Sequence, residues 1–382
     1  MKRNMAILIV FILCTILCAE SFESDTTDTL TKYIGEEVVV LEEQFVSSPL
    51  LKYTDGKVIS DSSILKGHFT NFDELISTEG NVYVKSGQIP GTAITPMLCG
   101  GDLNKQRFLL DGIPVAFPQM MNYHLSAQPL WALGAIEIIP GSHSSLYGTG
   151  GMAGAFNLIT QNRFPDGALT RIEISQGDYN TDWLAVALSH NLFKRVMMHI
   201  SGTKLTASGD QTDETTRAED ISAKIFVPIS TGENKLSLET YAQSHRGWLD
   251  YYSFGSLGHQ RDDNSIAALH INADFSNILL RASSQFERYD QTYYTDWGYD
   301  NHRGDVLTLN LQGTTSWKIV SPTLLFEWRG YDLQSTASGD HKLSSFAAGI
   351  QTETDIADFY GMLSARIDKD IQGNFFPGLG VG

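Results

Sequence analysis

The 382-residue chain is short of cysteine, of basic residues and, beyond its first twenty residues, of long apolar runs. Each shortage excludes something. Its three cysteines are Cys14, Cys18 and Cys99. The first two fall in a stretch with the marks of an export signal: Lys2 and Arg3, an apolar run from Met5 to Leu17, then the small-x-small site Ala19-Glu20-Ser21. That run is too short to span a bilayer, and cleavage would remove residues 1–21. A lipidated Cys18 is the alternative, but the bulky Leu17 before it fits that processing poorly. Cys99 is then left alone, which excludes an intrachain disulfide and a thiolate metal centre; it is expected as a small core residue. Lysine and arginine number 27 against 44 aspartates and glutamates, a formal net charge of −17. A protein that grips a phosphate backbone needs a basic face, so nucleic acid is excluded as partner. After the signal no run of about 18 apolar residues remains, which excludes helical membrane spans.

Glycine is plentiful, and the stretch Glu137 to Thr160 concentrates it between two short apolar runs. Gly148, Gly150 and Ala153 fit the G-x-G-x-x-A spacing of a pyrophosphate cradle. That motif needs a helix to open at the glycines. Here Ala155 to Thr160 alternates and carries β-formers, so a nucleotide site is not expected. Ser142-His143-Ser144 suggests an envelope hydrolase, yet the segment is not the nucleophile elbow G-x-S-x-G and no carboxylate partner is placed by spacing. No catalytic residue is assigned, and the chain is expected not to be an enzyme.

After about residue 168 proline thins out and aromatics rise, and short segments of period two follow one another. Ser265 to Asp274 puts Leu269, Ile271 and Ala273 opposite His270, Asn272 and Asp274; Asp305 to Gln312 puts Leu307, Leu309 and Leu311 opposite Thr308, Asn310 and Gln312. Such segments are half-buried strands. Tight links near 191–194, 229–233, 275–276, 319–321 and 353–356 alternate with long polar or aromatic stretches at 207–218, 244–264, 288–304 and 331–341, read here as loops. Short turns at one end, long loops at the other and one apolar face per strand describe an outer-membrane barrel. A soluble all-β protein is the alternative. About eleven strands fit before residue 367, and Asn374 to Gly382 begins another without the closing aromatic such barrels commonly carry, so a stop partway through a larger barrel is expected.

With a barrel behind it, the glycine stretch resembles the plug domain of TonB-dependent outer-membrane receptors, which fills a 22-stranded barrel. Ile136, Glu137, Gly141, Ser144, Tyr147, Gly148, Gly154, Asn157, Ile159 and Thr160 stand at the positions of that family's signature. Arg107 to Pro114, with Asp111-Gly112 as a tight-turn pair, resembles its L-x-L-L-D-G-V-P segment, and Phe72 to Ile76 followed by Gly80 to Val84 resembles its opening. Glu36-Glu37-Val38-Val39-Val40-Leu41, after a polar linker, resembles the TonB box, in which Glu37, Val38, Val39, Val40 and Leu41 would pair as an added strand with the partner. The resemblance implies a mainly β protein: signal peptide 1–21, N-terminal segment 22–45, a small α+β plug at 46–165 and antiparallel transmembrane barrel strands at 166–382.

It further implies a monomer in outer-membrane lipid, coupled to TonB and its inner-membrane ExbB/ExbD motor, with no cofactor. The ligand would be a scarce metal chelate, such as a siderophore, or a vitamin such as cobalamin, and nothing in the sequence selects one. Trp248, Tyr251, Tyr252, Tyr293, Tyr294 and Trp297 are the ligand-stacking candidates. The glycines would let the plug backbone run close to the wall, and Asp111 and Glu137 would lie in polar plug–wall contacts. The acidic runs Asp262-Asp263 and Asp210 to Glu214 could hold calcium or simply be solvated. Three positions depart from the family pattern: Cys99 and Ala135 replace frequent arginines and Ser142 a proline, which puts in doubt how tightly the plug is latched. A truncated or non-transporting binding protein is the alternative function.

Overall fold

The computed structural model describes residues 55–381, apart from 87–90, 93, 118–122, 143, 149, 163, 165–166, 193–195, 210–212, 232–233, 254, 297, 318 and 357–358. The export signal and the valine-rich segment Glu37 to Leu41 lie outside the described residues, as do His143 and Trp297. The first body is built on a five-stranded mixed sheet ordered β1-β6-β7-β4-β5. Its strands are β1 (Lys57–Ser60), β4 (Gln106–Leu110), β5 (Ile113–Val115), β6 (Leu133–Pro140) and β7 (Gly154–Thr160), with a separate two-stranded ribbon of β2 (Tyr83–Lys85) and β3 (Thr95–Met97). Every residue of β7 is buried, because it lies at the centre of the sheet with apolar layers on both sides.

Local chemistry sets the helices. Ser60 and Asn71 cap α1 (Asp61–Lys66) and α2 (Phe72–Glu79), their side chains accepting from Ser63 N and Glu74 N, and Gly80 ends the second. Phe72, Leu75 and Ile76, spaced along one helical face, are buried in the core. Asp111 and Gly112 both take positive φ, 49° and 80°, between the paired residues Leu110 and Ile113. This is the two-residue hairpin that a D-G pair favours.

The second body is a twelve-stranded antiparallel sheet in which every strand pairs with its chain neighbour, from β8 to β19. The strands are β8 (Ala168–Gly177), β9 (Thr181–Leu192), β10 (Val196–Ser208), β11 (Thr215–Thr231), β12 (Asn234–Ser253), β13 (Ser256–Phe275), β14 (Ile278–Thr295), β15 (Gly298–Thr315), β16 (Val320–Ser335), β17 (His341–Ile356), β18 (Phe359–Lys369) and β19 (Phe375–Val381). Eleven strands and a twelfth beginning near residue 374 match the count expected from alternation. The faces match too: Leu269 and Ile271 are 40% and 43% exposed, while His270 between them is 1% exposed. Leu307, Leu309 and Leu311 point out, and Thr308 and Asn310 are buried inward. With Phe286, Leu324, Phe326 and Ile350 these form an exposed apolar girdle far larger than the patches soluble proteins leave uncovered, and lipid is the environment that suits it. No helix among the described residues is long and apolar enough to cross a membrane, which leaves strand crossing untouched.

Two expectations change. The stretches 244–264 and 288–304 are not loops but the distal halves of the β12–β13 and β14–β15 hairpins, paired without a break in register. Twenty residues in β12 reach roughly 65 Å along the strand, well past the ~25 Å apolar band, so both faces turn polar there and the period-two signal fades while the ladder continues. Cys99 is not a core residue. It is exposed, at φ 47° in the turn Leu98–Gly100. The cause is Gln106, whose buried amide donates to Pro96 O, Gly101 O and Asp102 O and accepts from Leu98 N, fixing a turn that buries Leu98 and points the next side chain out.

Candidate functional site

The plug sheet lies against the inner face of the twelve-stranded wall, and its tightest polar contact starts from the D-G hairpin. Asp111, 2% exposed, accepts from Thr160 N at 2.8 Å and from Thr160 Oγ1 at 2.7 Å. Lys224 Nζ, from β11 of the wall, donates to that same hydroxyl at 2.7 Å and lies 3.3 Å from Glu239 of β12. On the other side of the turn, Gly112 N donates to Asn157 Oδ1 at 3.0 Å, and Asn157 Nδ2 donates to Glu137 Oε2 at 2.8 Å. Asp111, Gly112, Asn157, Glu137 and Thr160 are therefore one buried network, and it reaches the wall through Lys224. The sequence singled out the plug members but not Lys224 or Glu239. Nothing in a linear pattern marks which inward polar position meets the plug.

A second tie is made by the glycine loop. It is closed at its base by Gly141 N donating to Ala153 O and Ala153 N donating to Lys105 O. Ser144–Tyr147 forms one short helical turn, α3, in which Leu146 O accepts from Arg366 Nη1 and Ser145 Oγ meets Ser364 Oγ at 2.9 Å. Leu146 and Tyr147 pack with Ile139 against Met362 of β18. Gly148 has φ 81°, and a Cβ there would stand 3.0 Å from Arg366 Nη2 and 3.3 Å from Asp368 Oδ1. This glycine is required both by backbone hand and by the nearness of charged wall groups.

Most of the buried cations at the plug–wall boundary stand on the wall. Arg281, Arg329 and Arg366 are buried on inward faces, Arg329 beside Glu287, Arg366 beside Glu327 and Asp368, and Arg281 near Glu239; Glu287 also accepts from the plug amide of Ala116. Arg107 of β4 stands among Arg329, Glu327, Tyr331 and Arg366; burial, and then the Arg329 charge, lower its pKa to about 10, so it stays a cation at neutral pH. Ala135 simply pairs with Ser60 in the sheet. Further contacts run up the wall: His199 Nε2 to Trp131 O at 2.8 Å, Trp131 edge-on to Trp183 at 5.7 Å, and Phe117 edge-on to Tyr289 at 5.3 Å.

Above these ties the plug and wall part to leave two adjoining clefts, of about 700 and 850 Å³ including their open mouths. Tyr123, His124 and Ser126 of the plug face Gln243, His245, Asp262 and Gln291 of the wall in the first; Asn71, Ser126 and Gln128 face Trp183, Thr203 and Asp220 in the second. Tyr123 OH donates to Gln128 Oε1 at 2.7 Å and accepts from Gln243 Nε2 at 3.4 Å, and burial pushes its pKa up, so it stays a phenol. Burial also pulls His124 below the usual imidazole range, so it is neutral at neutral pH.

Register divides the aromatic candidates. Directly paired residues share a face. Trp248 pairs with Arg217 and Arg261, Tyr252 with Leu257, and Tyr294 with His259 and Tyr299, all on the outward face; Tyr251 and Tyr293 are on the inward face with Gln243 and Gln291. Trp248 is flanked by the guanidiniums of Arg217 and Arg261 at 5.1 and 5.7 Å. Asp262 and Asp263 also point to opposite faces, and the described residues hold no group of three or more His, Cys, Asp or Glu with metal-holding geometry. The residues that line the cleft without having been foreseen, Tyr123, His124, Gln243 and His245, carry no motif; only the pairing brings them together.

A small mixed-sheet domain seated against the inner face of a large antiparallel, outwardly apolar sheet defines a plug-and-barrel protein. Residues 54–155 match the family described as the TonB-dependent receptor plug domain, and the described residues have the fold of TonB-dependent receptors, their wall an open sheet of twelve strands. Solved structures similar to it include a point mutant of the ferric enterobactin receptor PfeA of Pseudomonas aeruginosa (TM-score 0.69, 15% identity, covering 90% of this chain and 61% of that one). The siderophore receptor PirA of Pseudomonas aeruginosa gives 0.64 at 18% identity, covering 85% and 58%, and the ferric yersiniabactin uptake receptor FyuA of Yersinia pestis gives 0.60 at 15%, covering 86% and 60%. The chain thus spans about three fifths of the length of these receptors. No curated protein matches it in sequence.

Proposed function

We propose that the protein is an outer-membrane receptor that takes up a scarce ligand by TonB-dependent movement of its plug. The observation that carries this reading is the plug–wall interface: a separately built domain held to the wall through a few polar ties, chiefly Lys224 to Thr160 and Arg366 to Leu146, with clefts above them that contact both parts. A ligand in those clefts touches the very surfaces that must separate for passage. Glu37 to Leu41 supplies the coupling strand, offering main-chain donors and acceptors to TonB. Tyr251 and Tyr293 are the inward aromatic contacts for ligand; Trp248, Tyr252 and Tyr294 anchor the outer rim. The chemistry is binding and transport, with no catalytic group assigned.

The test is Val39→Pro. Proline removes a donor from the added strand, so uptake of the ligand in cells should cease while binding at the cell surface is retained. Uptake at the unmodified rate would refute the coupling role of this segment.

A further inference from the structure

The inward face of the wall divides into two electrostatic levels. Following the pairing across the sheet, the row Thr203, Asp220, His245, Asn264, Tyr289 and Gly304 marks the boundary. Below it stand Arg171, Lys224, Arg281, Arg329 and Arg366, each beside plug groups or wall carboxylates. At that row and above it, the inward positions of the described strands carry Glu173, Asp220, Asp262 and Asp300 and no lysine or arginine. The cations at this height are all on the other face: Lys204, Arg217, Arg246, Arg261, Arg288 and Arg303, with Arg217, Arg246 and Arg288 on Glu219, Asp263 and Asp305. A generally acidic composition would not sort its arginines by face; the alternation of each hairpin does. The plug segments 86–104 and 108–162 add none either, since neither contains a lysine or arginine.

The hydrogen-bond inventory points the same way. Asp262 accepts from Gln260 and Gln291, and Asp220 accepts from Thr203 and His245, so donors are already consumed within the wall. Gln291, 3% exposed and lining the first cleft, is left with its Oε1 unpartnered, as is Asn264 Oδ1 beside it, while in the second cleft the one unpartnered group among the described lining residues is a donor, Gln128 Nε2. Unfilled acceptors beside carboxylates ask for a partner that brings donors. We infer that the vestibule between plug and wall selects a donor-bearing ligand without net negative charge, a cationic or neutral chelate or polyol, and rejects anionic chelates. This deepens the receptor reading and rests on it for the word ligand, but the field itself can be measured without one.

The experiment uses residues 22–382, which lack Cys14 and Cys18, in detergent micelles with Cys99→Ser and Ser126→Cys, placing one thiol where the two clefts meet. Its rates with a trimethylammonium and a sulfonate methanethiosulfonate, each normalised to a small free thiol, should favour the cation about tenfold at low salt, the lower end of what a charged cleft does to encounter rates. The ratio should fall towards one with Asp220→Asn and Asp262→Asn together, and in high salt. A ratio at or below one in the parent overturns the inference. Equilibrium binding then compares two iron(III) chelates, an ammonium-bearing trihydroxamate of charge +1 and a tricatecholate of charge −3, with the trihydroxamate expected at least tenfold tighter. Tighter tricatecholate binding overturns the ligand class while leaving the receptor reading intact. Binding of neither chelate nor a neutral oligosaccharide, despite a cation-favouring ratio, overturns the receptor reading together with the ligand class drawn from it.

Discussion

Lys224→Met isolates the tie between plug and wall. Lys224 is 2% exposed and Glu239 4% exposed, and both are covered because the plug is seated over them. Glu239 keeps a donor in Asn272 Nδ2 at 2.7 Å, but the methionine leaves it without its ammonium, and it leaves Thr160 Oγ1 without its wall donor. An uncompensated buried carboxylate costs about 3–5 kcal/mol, and the low end applies here because Arg281 lies near. That cost exists only while the plug excludes water from Glu239, so it falls on plug seating rather than on the wall. With a urea dependence of about 1–3 kcal/mol per molar, 3 kcal/mol moves the seating midpoint down by about 1–3 M. The assay is chymotrypsin cleavage of the plug across a urea titration in micelles. Phe108, Tyr123, Trp131 and Phe156 are all buried chymotrypsin sites of the seated plug. Lys224→Met/Glu239→Gln removes the stranded charge and should recover most of the loss. An unmoved midpoint in the single variant, or a double variant no better than the single, would refute the tie.

Three further outcomes follow from the same geometry. Gly148→Ala places a Cβ in left-handed backbone 3.0 Å from Arg366 Nη2 and should weaken seating by about 1–2 kcal/mol in the same assay, whereas Gly339→Ala, also at positive φ but in open space, should leave the plug unaffected. His124 is held below its free pKa of 6.5 by burial, so the unseated plug binds more protons than the seated one; seating is undiminished above about pH 6.5 and weakens as pH falls below it. The difference in midpoint between pH 7.5 and 5.5 should shrink in His124→Gln, and an equal pH response in both proteins would remove His124 from the account. Asp111→Ala strands the Thr160 amide in the core and should cost about 1–3 kcal/mol, while Asp111→Asn, which keeps an acceptor, costs less; equal losses would deny the carboxylate its bonding role.

The strand count and faces could be read before the structure because lipid imposes a strict period of two on the middle of each hairpin, as in Leu307-Thr308-Leu309-Asn310-Leu311. Asp111-Gly112 was legible for a local reason, since few pairs tolerate two consecutive positive φ values. Beyond the lipid band the constraint lapses. His245-Arg246-Gly247-Trp248-Leu249-Asp250 reads as loop because neither face needs to be apolar, yet its backbone pairs residue by residue with β13. The face of each aromatic there depends on register alone, and a one-residue difference separates Tyr251 inside from Tyr252 outside. Lys224 and Glu239 were hidden for a related reason: each is an ordinary polar residue in an alternating strand, and only the seated plug makes it a buried charge.

That contrast bears on how the plug could be released. The glycine-rich signature fixes the plug's own fold, Gly148 and the Asp111 turn being demanded by backbone conformation, while the strength of its attachment resides in wall residues outside any signature. Positions 99 and 135 of the plug carry Cys and Ala, and most of the buried cations at the boundary stand on the wall, at Lys224, Arg281, Arg329 and Arg366. A plug whose surface ties are hydroxyls and carbonyls, Thr160 Oγ1, Ser145 Oγ and Leu146 O, separates without carrying an unpaired charge out of the interface at those points. The wall cations left behind keep Glu239, Glu327 and Asp368 as partners. At those three points water need solvate only neutral groups on the moving side, which lowers the work of separation there compared with breaking a buried ion pair; Arg107, which stands among Arg329, Glu327 and Arg366, is the plug cation that must be solvated on release.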